Sequence, residues 1–145
     1  MRRLLVCIAV CALVGLFAFP ARAAESRSYS AKGTGQFTSA TDFVGEGTAT
    51  HLGRYTEAGT VAFTPTDDPA VLHVAGSIVY TASNGDELHA TFSGQLNGQT
   101  GAVTGTVTYV GGTGRFDDSS GSSTLTGQVS PSGALSVSVD GSISY

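Results

Sequence analysis

Past residue 11 this chain contains no cysteine; Cys7 and Cys11 are the only two in its 145 residues. Thiol nucleophiles, thiolate metal sites and disulfide staples are therefore excluded downstream, and the fold must rest on packing and hydrogen bonds. Positive charge is nearly as scarce. After residue 23 only Arg27, Lys32, Arg54 and Arg115 are basic, scattered among all 11 acidic residues. Such a chain is a poor match for phosphate backbones or anionic membrane surfaces, so nucleic acid is excluded as a partner. Several catalytic and nucleotide-binding patterns are missing too. There is no Gly-x-Ser-x-Gly, no glycine loop ending in Gly-Lys-Ser/Thr, no dinucleotide fingerprint and no EF-hand spacing around Asp117-Asp118-Ser119.

One long apolar run is present, and it lies at the start. Arg2 and Arg3 precede residues 4–19, which are apolar apart from Gly15, and Ala21-Arg22-Ala23 offers an A-x-A cleavage site. This is the three-part pattern of a secretory leader, expected over residues 1–23 and leaving one domain over residues 24–145. Val10 is too bulky before Cys11 for a lipoprotein signal. The expected location is secreted or periplasmic, with no membrane anchor after cleavage.

Downstream, a period of two dominates. Leu135, Val137, Val139, Gly141, Ile143 and Tyr145 share one face, against Ser136, Ser138, Asp140, Ser142 and Ser144 on the other. Val103, Gly105, Val107 and Tyr109 alternate in the same way with threonines, and Leu88, Ala90, Phe92 and Gly94 with Glu87, His89, Thr91 and Ser93. These are half-buried strands. Leu72, Val74, Gly76, Ile78 and Tyr80 form another apolar face, and Val71, Ala75 and Val79 opposite them predict a strand covered on both sides. Weaker strands are expected near 29–37, 47–52 and 60–64. Turn signals at Thr66-Asp67-Asp68-Pro69, Ser83-Asn84-Gly85-Asp86, Asn97-Gly98 and Ser130-Pro131-Ser132-Gly133 separate the runs. The sum is an all-β meander of about eight antiparallel strands. Closure into a barrel would remove its edges and use its strand glycines at bends; a two-sheet sandwich is the alternative.

The stretch Val110-Gly111-Gly112-Thr113-Gly114-Arg115-Phe116-Asp117-Asp118-Ser119-Ser120-Gly121 places one large apolar residue, Phe116, among four glycines. It reads as a loop pinned to the core by that ring. Its Gly111-Gly112-Thr113-Gly114-Arg115-Phe116 followed by Ser120-Gly121 resembles the G-G-[TS]-G-x-F…[AS]-x-G signature of the allene oxide cyclase and dirigent barrel families. Small secreted bacterial members of that superfamily also carry stretches similar to residues 47–56 and 80–86. The resemblance spans most of residues 45–145. It implies an eight-stranded antiparallel closed barrel with a central apolar cavity, and a homo-oligomer, a trimer in the plant relatives. It assigns no catalytic residue, because the plant cyclase's acid, amide and tyrosine set has no residue-level counterpart here.

Candidate chemistry is sparse. His51, His73 and His89 are spaced by 22 and 16 residues, which matches no local metal motif, so no metal or other cofactor is expected. A two-residue turn on Asn84-Gly85 would set His89 opposite Tyr80 and His73 opposite Leu96. Within His51-Leu52-Gly53-Arg54-Tyr55-Thr56-Glu57, His51, Arg54 and Glu57 could grip a polar headgroup at a barrel mouth, or Arg54 could pair with Glu57 or Glu46 to order a turn. Arg115 could bind an anion or tie to a carboxylate. Candidate ligand contacts are thus His51, Arg54, Tyr80, Phe92 and Tyr109. The expected function is a small exported barrel holding a small apolar ligand. A cofactor-free isomerase or cyclase, and a structural module with a filled barrel, are the alternatives.

Overall fold

The alternation in residues 134–144 places Val139 and Ile143 fully inside and Asp140 in solvent, as a pleated strand requires. Seven more strands behave alike in the computed structural model, which describes residues 23–145; the leader expected over residues 1–23 lies, apart from Ala23, outside the described residues. The strands are β1 (Ser26–Phe37), β2 (Asp42–Ala49), β3 (Gly53–Pro65), β4 (Val71–Ala82), β5 (Glu87–Asn97), β6 (Ala102–Gly112), β7 (Ser120–Val129) and β8 (Ala134–Ser144). Each pairs antiparallel with the next, and β8 returns to β1 from Ser26↔Ser144 to Gln36↔Ala134, closing the barrel. Closure leaves no edge strand to template aggregation.

Apolar side chains dominate the interior, each large one contributing about 1.5–3 kcal/mol by burial, while threonines 104, 106 and 108 and their counterparts face out. That polarity is the reverse of the outward apolar band of a lipid-spanning barrel.

The two ends differ. At one, the turn Gly114–Phe116 folds Phe116 into the barrel until none of it is exposed. Backbone bonds hold the turn: Thr113 N–H to Glu87 O at 2.8 Å, and Ser119 N–H to Phe116 O at 3.0 Å. Gly114, with φ of 57°, supplies the left-handed residue that starts it. Leu52, Leu88 and Ile143 complete the plug. Arg115 ties to a carboxylate, Asp86, at 3.7 Å, and its guanidinium lies 4.8 Å from the Phe116 ring centre. The opposite end carries the β1–β2, β3–β4, β5–β6 and β7–β8 hairpins and is rimmed by half-buried Phe37, Leu96 and Leu135 and by Phe63, 38 % exposed.

Three expectations need correction. The weak strands expected at 47–52 and 60–64 are longer and shifted, because the polar segment 53–57 is itself strand: it alternates Tyr55 and Glu57 inward with Arg54 and Thr56 outward. The β4–β5 connection, residues 83–86, turns on Gly85 at φ of 90° and is closed by Ala82 N–H to Asp86 O at 2.9 Å, so His89 faces Val79 and His73 faces Gln95. This even register keeps Tyr80 and Leu88 on the same inner face, which a one-residue slip would have destroyed. Val71, Ala75 and Val79 do not meet a second layer; they are half-buried on the outer face of a single-walled barrel.

Candidate functional site

Between the open rim and the Phe116 plug, the side chains leave a cavity of about 70 Å³. Its upper wall is aromatic. Phe43 sits edge-on to Phe37, with ring centres 6.0 Å apart, and to Phe92 at 6.3 Å, while Phe63 stands 6.3 Å from Phe37 at the rim. Val61, Val74 and Ile78 line the β3–β4 side, and Leu125, Val137 and Val139 the β7–β8 side. At the inner end, Tyr55 and Tyr80 cross at 90° with centres 5.2 Å apart.

Glu57 lies beside these two tyrosines. It points inward from β3, opposite Gly45 on β2 and Tyr80 on β4, and only 5 % of it is exposed. It is the one charged side chain lining the cavity, and it belongs to no salt bridge among the described residues. Loss of water alone, with no offsetting hydrogen bond or cation, pushes its carboxyl up to about 7. Room for Glu57 and Tyr55 comes from glycines on the neighbouring hairpin. A β-carbon on Gly33 or Gly47 would stand 2.6 Å from the Tyr55 hydroxyl, and one on Gly45 would stand 2.8 Å from Glu57 Oε1. The inner face of β1–β2 is therefore bare backbone at this level, and both polar tips rest against it.

Behind this layer, Tyr29 and Tyr109 pack edge to face with centres 5.0 Å apart. Tyr109 Oη and Ser123 Oγ share a buried hydrogen bond of 2.8 Å, whereas the Tyr29 hydroxyl is buried with no partner among the described residues. Burial, reinforced by the Glu57 charge, raises Tyr29, Tyr55 and Tyr80 well above the ordinary phenol range. Burial also raises Tyr109 to about 12, against the opposing pull of its bond to Ser123. All four phenols are neutral hydrogen-bonding groups at any physiological pH.

The residues singled out from sequence divide accordingly. Tyr80 and Phe92 line the cavity, and Tyr109 lies deeper, in the layer behind it. His51 and Arg54 lie elsewhere. His51 occupies the β2–β3 turn at the plugged end with φ of 70°; its Nε2 bonds Ser28 O at 2.9 Å and its ring meets Tyr145. Arg54 is on the outer wall beside Lys32 and Glu46, so it shares no face with Glu57 and forms no ion pair with it or with Glu46. His51, Arg54 and Glu57 thus form no common grip. No group of three or more His, Cys, Asp or Glu side chains among the described residues is placed to hold a metal ion. Sequence reasoning missed Glu57 and Tyr55 as interior residues. The signal was the alternation Tyr55, Glu57, Gly59, Val61, Phe63, a period-two face in which a glutamate occupies an apolar position.

No family model and no curated protein matches this sequence.

Proposed function

We propose that the barrel is a container for a small, largely apolar molecule, taken in at the Phe37–Phe63 rim and held with one hydrogen-bonding group against Glu57. The observation that carries this reading is the Glu57 carboxyl, without a hydrogen-bond or ion-pair partner among the described residues, in a cavity walled by aliphatic and aromatic side chains. Natural cores rarely retain such a group without use, since a buried polar group lacking a partner costs about 1–3 kcal/mol. A ligand donor would supply the missing bond, and the phenylalanine walls would bind its apolar part. The volume, about 70 Å³, suits a short chain of a few carbons. The resemblance to the cavity-forming allene oxide cyclase and dirigent barrels points the same way. The leader pattern supports export, so the ligand would be met outside the cytoplasm.

A second reading is favoured by one specific observation. A carboxyl poised near neutrality among neutral phenols is suited to general acid–base work, as a cofactor-free isomerase or cyclase would need.

Native mass spectrometry and solvent extraction of protein purified from its own host test the container reading. A retained small molecule is expected, and it should be lost in Leu135→Trp, which narrows the rim. A barrel that retains nothing and takes up no small apolar probe would overturn it.

A further inference from the structure

We propose that this cavity selects protonated amines, binding the ammonium of a short alkyl amine at Glu57 with its apolar stem toward the rim. The inference rests on the container reading and names its ligand class.

Charge at the site is one-sided. Among the described residues Glu57 is the only charged residue lining the cavity; no lysine, arginine or histidine lines it, and the basic side chains of β1 and β3 at this level, Lys32 and Arg54, are on the outer wall. A carboxylate-bearing ligand would therefore bring a second buried negative charge with no counter-ion. An alcohol would supply one neutral hydrogen bond. An ammonium supplies both the donor and the opposite charge that the buried carboxyl lacks.

The surrounding rings favour the same choice. Phe43, Tyr55, Tyr80 and Phe92 line the cavity around Glu57, and aromatic faces attract cations most strongly where water is excluded. Two of the four phenol hydroxyls near the site are turned elsewhere, and those of Tyr29 and Tyr80 are neutral groups that give an anion no counter-charge. Tyr55 Oη rests against the Gly33–Gly47 backbone, and Tyr109 Oη is engaged with Ser123.

The groups facing Glu57 are Tyr29 on β1, Tyr55 on its own strand and Tyr80 on β4; β2 offers Gly45, with Glu46 pointing outward beside it, and β5 to β8 present only apolar side chains to the cavity. The phenols do not ionise near neutrality, so Glu57 alone sets the pH dependence. Ammonium affinity should rise with pH as that carboxyl ionises and then level off.

Isothermal titration of the full barrel with butylammonium, 1-butanol and butyrate tests this with identical short stems. At about pH 8 butylammonium is expected to bind about tenfold more tightly than butanol, the worth of one charge-assisted bond, with butyrate weakest. The preference should shrink several-fold at about pH 6, where butylammonium stays charged but Glu57 is mostly protonated. In Glu57→Gln the ammonium should fall to the level of the alcohol. Butanol binding as tightly as butylammonium to the unaltered protein, which needs no variant to be folded, would overturn the proposal and leave the container reading standing. A Glu57→Gln barrel that keeps the preference would overturn it equally. Binding of none of the three would overturn both.

Discussion

Glu57 Oε1 lies 2.8 Å from the point that a β-carbon on Gly45, its cross-strand partner, would occupy. The backbone oxygen of Thr34 lies 2.7 Å from the same point. The glycine thus does two things at once: it lets β1 and β2 approach, and it leaves the bay in which the carboxyl lies. Gly45→Ala must displace either the flexible carboxylate or the much stiffer Thr34 carbonyl. Overpacking of this kind costs about 1–3 kcal/mol, which urea denaturation would register. A crystal structure of the variant should show Glu57 swung further into the cavity. An unchanged melt with Glu57 in place would mean that the bay is looser than the geometry implies.

The plug can be tested in the same way. Phe116 has no exposed surface and lies 5.1 Å, ring to ring, from Tyr145. Removing the ring leaves a void beside Tyr145 at the Leu88–Ile143 end of the core, which strands on both sides hold open. Phe116→Ala is therefore expected to lower stability by about 3–5 kcal/mol. Arg115→Ala, which removes a long, exposed pairing with Asp86, should cost at most about 1 kcal/mol. Equal losses in thermal and urea melts for the two variants would show that the loop, rather than the ring, is what matters.

Those two sites differ in how far they could be read from sequence. The glycine run announced its own role, because one aromatic among residues that permit left-handed turns can only be an anchor or an exposed liability. The strands from β4 onward were equally legible from strict alternation and glycine-bearing turns. The β2–β3 region was not. His51, Arg54 and Glu57 sit close in sequence and look like one polar cluster, yet a strand sends Arg54 and Glu57 to opposite faces and a turn holds His51 at the plugged end. Charge proximity suggested a surface loop, and the period-two face running through Tyr55, Val61 and Phe63 prevailed. The candidate floor of the cavity was hidden for that reason: its key residue is of a type that averages place outside.

Tyr29 and Tyr109 offer a test of hydrogen-bond accounting between near neighbours. Both are buried, but only Tyr109 has a partner, Ser123 at 2.8 Å. Tyr109→Phe leaves the Ser123 hydroxyl buried and alone, a loss of about 1–3 kcal/mol. Tyr29→Phe deletes a hydroxyl that gains nothing from burial, so the protein should be as stable or slightly more stable. Guanidinium melts of the two single variants give the comparison directly. A large loss for Tyr29→Phe would reveal a bond, such as one through an ordered water, that its surroundings do not otherwise display.

The stability of the ligand-free barrel should itself report Glu57. Its carboxyl sits at about 7 in the fold against an ordinary value of 4.5, because burial penalises the charged form. Between those values the folded chain holds a proton that the unfolded chain has released. Stability contributed by this group is therefore complete at low pH, declines as pH rises through the window from 4.5 to about 7, and is flat above it. The full amplitude is about 3 kcal/mol. Other carboxylates pull in their own directions, so the measurement is the difference between the unaltered protein and Glu57→Gln, in which those contributions cancel. That difference should move in favour of the glutamine variant across the window and then stop changing, as followed by urea unfolding at closely spaced pH values. A difference independent of pH would place Glu57 in contact with water, and the dry carboxyl on which both the container reading and the amine preference depend would be lost.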